Sequence, residues 1–67
     1  MSTQPSTADI GIFIKDMIEE RPFEIGTNQP EPIGVDYVAV VDVEDPHNPI
    51  ILTETGVRFR VSIVRID

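Results

Sequence analysis

Three carboxylates and the chain's single histidine fall within six residues, at Asp42, Glu44, Asp45 and His47. Carboxylate oxygens beside an imidazole nitrogen suit a hard or borderline divalent cation. Their spacing argues against a complete site. Asp42 and Glu44 share one phase of an alternating segment, whereas Asp45 and His47 belong to the Asp-Pro-His-Asn-Pro turn that follows. No glycine-centred calcium loop surrounds them. The simpler reading is an acidic strand end running into a proline turn, and no metal ligand is assigned.

Nucleophilic catalysis needs a base beside a hydroxyl and a third group to orient that base. His47 is the only histidine and Lys15 the only lysine, and nothing resembles a nucleophile elbow. Glu19 and Glu20 are adjacent, and adjacent helical side chains diverge. Gly26, Gly34 and Gly56 fit neither G-x-G-x-x-G nor G-x-x-x-x-G-K, so no phosphate-cradling loop is expected. A chain this short encloses a ligand pocket of about 300 Å³ only by giving up its core. We expect no enzyme, no cofactor and no small-molecule substrate.

The charge pattern is more specific. Twelve acids against five basic residues leave a net charge of −7. Residues 1–45 hold ten acids against Lys15 and Arg21, whereas residues 46–67 hold Glu54 and Asp67 against Arg58, Arg60 and Arg65. The overall field disfavours direct contact with a phosphate backbone. The acidic excess reads as a solubility device, or as a surface that mimics nucleic acid toward a basic protein groove. Val57, Phe59, Val61 and Ile63 alternate with Arg58, Arg60 and Ser62, a strand that is apolar on one face and cationic on the other. Single-stranded nucleic acid is held by aromatics on the same surface as the basic groups, and here the pleat separates them. Arg58 and Arg60 are expected to meet acids of neighbouring strands, namely Asp36, Asp42, Glu44 or Glu54, for about 0.2–1 kcal/mol per pair.

The elements that would position these groups follow from periodicity. Ser6 with Asp9 fits an N-cap with a first-turn acid. Ile10, Phe13, Ile14, Met17 and Ile18 form one apolar stripe of a helix over residues 7–20, ended by Pro22. Ile12 lies off that stripe and hints at a second contact surface. Phe23–Ile25 alternates as a short strand before a breaker-rich connection over 26–34. Residues 35–44 form a central strand with Val35, Tyr37, Ala39, Val41 and Val43 on one face. Val38 and Val40 make the other face apolar too, as where both faces are covered. Asp45-Pro46 begins a turn, and Gly56 closes a hairpin between strands over 50–55 and 57–66. After Ile63 the alternation slips, which a bulge or a differently packed strand end would account for.

This is an α+β chain: an N-terminal helix packed on a small antiparallel meander of three to four strands. The stripe is expected to lie on Tyr37, Val41, Phe59 and Val61. Residues 1–6 read as a flexible arm and 7–67 as a single small domain. At 67 residues, such a domain buries only about 60% of its unfolded surface and needs further stabilisation. With no cysteine, disulfides and zinc–thiolate sites are excluded. No export signal or membrane span is visible, which points to a soluble, cytoplasmic protein. One helix covers one sheet face, so a second chain is expected on the other. Val38, Val40, Arg58, Arg60 and Arg65 are the expected interface. The reading is a non-catalytic interaction module, a subunit or assembly component whose sheet another chain completes, with self-association or a protein partner. The alternative is the acidic nucleic-acid-mimicking inhibitor.

Overall fold

A computed structural model describes residues 3–28, 30, 31 and 33–67. Met1 and Ser2 of the expected arm, and Gln29 and Pro32 of the expected connection, lie outside the described residues. The chain forms one helix, α1 (Thr7–Ile18), and four strands, β1 (Pro22–Ile25), β2 (Gly34–Asp42), β3 (Ile50–Thr53) and β4 (Arg58–Arg60). The strands pair antiparallel in the order β1-β2-β3-β4, an α+β meander.

Helix α1 begins where a capping box sets it. Ser6 Oγ accepts from Asp9 N at 3.2 Å, and Asp9 Oδ2 accepts from Ser6 N at 2.8 Å. Two donors without intrahelical partners are thereby satisfied reciprocally. The helix ends at Ile18, two residues before the expected limit at Glu20, and not because of Pro22 alone. Glu19 is already extended, and Glu20 takes a left-handed φ of 63°. From there Glu20 N donates to Val38 O at 2.8 Å, and Val38 N donates to Arg21 O at 2.9 Å. The reversal into β1 thus happens against β2 itself.

Strands β2 and β3 carry the interior. Val38 and Val41 are its buried hydrophobic side chains, with Pro49, Asp36 and Thr53 buried beside them. The register shifts between Val38 and Val40. An extra residue there reverses the phase of everything after it. Asp36, Val38 and Val41 therefore turn inward, while Val35, Tyr37 and Val40 are exposed. This corrects the expected division of β2, which put Val41 with Tyr37 and Val38 with Val40. This bulge, at Ala39, was not expected, and β4 ends at Arg60, before the slip in alternation after Ile63. Beyond β4 the chain still runs beside the turn, with Val61 N donating to Pro49 O at 2.9 Å.

Both turns have the expected chemistry. Asn48 N donates to Asp45 O at 3.0 Å around Pro46, and Gly56 takes a φ of 93° as its N donates to Thr53 O.

The helix docks differently from expectation. Gly11 is its buried residue, set against the Pro46 backbone. That approach turns the stripe half outward. Phe13 is 57% exposed, and Ile10, Met17, Tyr37 and Phe59 are also exposed. Of the expected stripe only Ile14 and Ile18 are half-buried, with Ile18 beside Val38 and Phe59, so the packing expected of the whole stripe on Tyr37, Val41, Phe59 and Val61 holds for part of it at most.

Candidate protein interface

Strand β1 pairs with β2 as far as Tyr37, and Glu20 and Arg21 continue the bonding to Val38, so the β1-side edge of β2 would be bare from Ala39 onward. Lys15 of α1 and Glu19, its C-cap, fill it with side chains. Glu19 Oε2 accepts from Val41 N at 2.9 Å, and Lys15 Nζ donates to Val41 O at 3.2 Å. The two side chains pair with each other at 2.6 Å. A lysine and a glutamate one turn apart thus meet the hydrogen bonds a fifth strand would have made. Those bonds hold the Glu19 carboxyl below its ordinary value, the Lys15 bond first and the Val41 amide second. Both residues fall off the apolar stripe of the helix, so periodicity assigned them no contact. Their i, i+4 spacing was the available signal.

A second polar knot ties the β2 start to the β3–β4 turn. Buried Asp36 accepts from Thr55 Oγ1 at 2.6 Å and from Tyr37 N at 2.7 Å. Thr53 Oγ1 receives Val57 N at 3.1 Å and touches Thr55 Oγ1 at 3.0 Å. The Thr55 hydroxyl, then the Tyr37 amide, lower the Asp36 carboxyl below the ordinary range. Asp36 is therefore no counter-ion for Arg58 or Arg60. Among the described residues the ion pairs are Lys15–Glu19 and Arg65–Asp67, so both β4 arginines project without one. The expected cross-strand pairs do not form.

The acids and histidine that open the chemical reading are dispersed into local bonds. Asp42 Oδ1 accepts from Glu44 N at 2.9 Å, Asp45 Oδ1 accepts from His47 N at 3.2 Å, and His47 Nδ1 is hydrogen-bonded to Thr7 Oγ1. Among the described residues no three His, Asp or Glu side chains are grouped as metal ligands.

What remains open to solvent is apolar. Among the described residues fourteen large hydrophobic side chains are exposed, against two buried in the core. Six of them, Phe23, Ile25, Val35, Tyr37, Val40 and Phe59, lie on strands and are divided between the two sheet faces. On one, an apolar groove of about 300 Å³ runs between Ile18, Phe23, Ile51 and Phe59, with Val38 at its floor; Phe13 and Met17 are exposed on α1. On the other, Val35, Tyr37 and Val40 stand over no covering element. Of the expected interface residues, Val38 is taken into the core at 6% exposure, whereas Val40 is 47% exposed. The bulge separates them. Arg58 and Arg60 are exposed on β4. Arg65 is bonded to Asp67 and donates to Gln4 Oε1 at 2.9 Å, which joins the N-terminal segment to the C-terminal one.

The molecule is correspondingly open. Its radius of gyration is 14.0 Å, where a compact chain of this length has about 11 Å. Its accessible surface is 5409 Å², where a compact monomer of this mass exposes about 4,200 Å². The difference is on the order of what one partner loses in a standard protein interface, about 800 Å². No helix among the described residues is long and apolar enough to cross a membrane. Compared with protein-family models, curated proteins and solved structures, the chain matches none.

Proposed function

We propose that this chain is a non-catalytic protein–protein interaction module, a small subunit or assembly component whose sheet is completed by another chain, acting in the cytoplasm. The observation that carries the reading is the ratio of exposed to buried large hydrophobic side chains. Soluble monomers rarely leave contiguous apolar patches beyond a few hundred Å², and larger ones mark interaction sites. Val40, Tyr37 and Val35 on one face, with the Phe23–Phe59 groove on the other, supply the apolar centre, and Phe13 and Met17 are exposed on α1. Arg58, Arg60 and Arg65 supply a polar rim.

Nucleic-acid mimicry is the weaker reading. Of the ten acids in residues 1–45, Asp9, Glu19, Asp36, Asp42 and Asp45 bond to the chain's own backbone. Half of the available charge is therefore committed to holding turns, caps and edges.

The test places a photo-crosslinking side chain at Val40, and separately at Phe13, in native lysate and in purified protein. A discrete protein adduct that persists near 1 M salt, where screening shortens to about 3 Å, supports an apolar interface. An adduct lost at that salt favours mimicry. No adduct from either position, with strictly monomeric behaviour, rules out the module.

A further inference from the structure

The two outer edges of the sheet are complementary to each other, and we infer that the chain self-assembles head to tail, β4 of one copy pairing antiparallel with β1 of the next. The inference rests on the interaction-module reading and names its partner: a second copy of this chain.

Three independent properties match. The first is backbone parity. Thr53 N donates to Val57 O and Val61 N to Pro49 O, and Ile51 pairs with Phe59. In an antiparallel ladder bonded residues alternate, so Val57, Phe59 and Val61 turn their backbone groups inward to β3. Arg58 and Arg60 turn theirs outward. On β1, Arg21 O receives Val38 N, and the same alternation turns Phe23 and Ile25 toward β2. Glu24 presents its amide and carbonyl outward.

The second is charge. Directly opposed residues share a face, so outward-facing Glu24 meets Arg58 or Arg60 of the neighbour. Both arginines lack an ion pair among the described residues, and Glu24 is exposed.

The third is apolar. In the same pairing Phe59 falls beside Phe23 or Ile25 of the next copy, all three exposed in the single chain. Phe59 and Phe23 already line one groove within a chain, and the neighbour's β1 extends that apolar surface.

The like-edge alternatives are blocked. Two β4 edges would oppose arginine to arginine. Two β1 edges would oppose Glu24 to Glu24 or to Pro22, which has no N–H to donate. Charged residues on an edge strand ordinarily prevent pairing; here they prevent like pairing and permit the unlike one. A contact between two different edges does not close on itself as a two-fold dimer. Repetition with the natural twist of the sheet yields a ring or a filament.

Sedimentation velocity and light scattering on the full chain test this, with circular dichroism to confirm folding. The unmodified chain is expected to form oligomers larger than dimers as concentration rises. R58E/R60E and, separately, E24R are each expected to weaken association roughly tenfold or more. An equimolar mixture of the two variants is expected to recover assembly, because each then offers the edge the other lacks. That recovery also shows that neither variant merely failed to fold. A wild-type chain that stays monomeric, stops at dimers, or associates unchanged in R58E/R60E overturns the inference, as does a mixture that stays monomeric. A Val40 crosslink to a different protein would then still sustain the module reading.

Discussion

Gly11→Ala separates local preference from tertiary demand. In a helix interior alanine is favoured over glycine by about 1 kcal/mol, so intrinsic propensity alone has the variant more stable. The fold gives the opposite sign. A β-carbon at Gly11 would sit 2.8 Å from the Pro46 carbonyl carbon and 3.3 Å from its Cα, and closer still to the carbonyl oxygen. Carbon pairs prefer about 3.5–4.0 Å, and the obstacle is backbone, which cannot rotate away as a side chain would. Helix α1 must retreat, which stretches the Glu19 and Lys15 bonds to Val41. Overpacking of this kind costs about 1–3 kcal/mol, and the rigid neighbour places it at the upper end. The net is a loss of about 1–2 kcal/mol after the propensity gain. For a chain of this size that lowers the melting temperature by about 5–15 °C. Far-UV circular dichroism melts of Gly11→Ala beside Asp16→Ala, an exposed position on the same helix, provide the assay. A Gly11→Ala protein as stable as wild type, or more so, would refute the docking of α1 on Pro46.

Other consequences can be checked in parallel. Phe13→Ala in a packed core would cost about 3–5 kcal/mol; with Phe13 mostly exposed, its melt is expected to shift by less than about 1 kcal/mol while association weakens. Val40→Lys is expected to leave the fold intact and reduce association, read by light scattering. Glu19 and Asp36 have folded pKa values below their unfolded ones. Their stabilisation is therefore complete above the unfolded values and fades as pH falls through the folded ones. Melting temperature is expected to be flat above about pH 5 and to drop in acid, with a shallower drop in Glu19→Gln and Asp36→Asn. Glu20→Gly removes the left-handed penalty of about 1–2 kcal/mol at a smaller entropic cost, so chemical denaturation should show it equal to wild type or slightly more stable.

The helix, its Ser6 cap, the Asp45-Pro46 turn, the Gly56 hairpin and the order of the meander were legible in the sequence because each depends on neighbours within a few residues. Capping, turn geometry and periodicity are local properties, and local chemistry decides them. Which side of each element faces inward was not legible. That depends on one inserted residue at Ala39, which reverses the phase of β2 and sends Val38 inward and Val40 outward. It depends also on the missing side chain of Gly11, which lets α1 approach Pro46 and leaves Phe13 and Met17 in solvent. The roles of Lys15 and Glu19 were hidden for the same reason. They look like an ordinary solvated helix pair until the early end of β1 leaves Val41 with backbone groups to satisfy. Sequence alone determined that a single helix cannot cover two apolar faces. Only the tertiary structure decided which hydrophobic residues remain outside, because burial is set by contacts between segments distant in the chain.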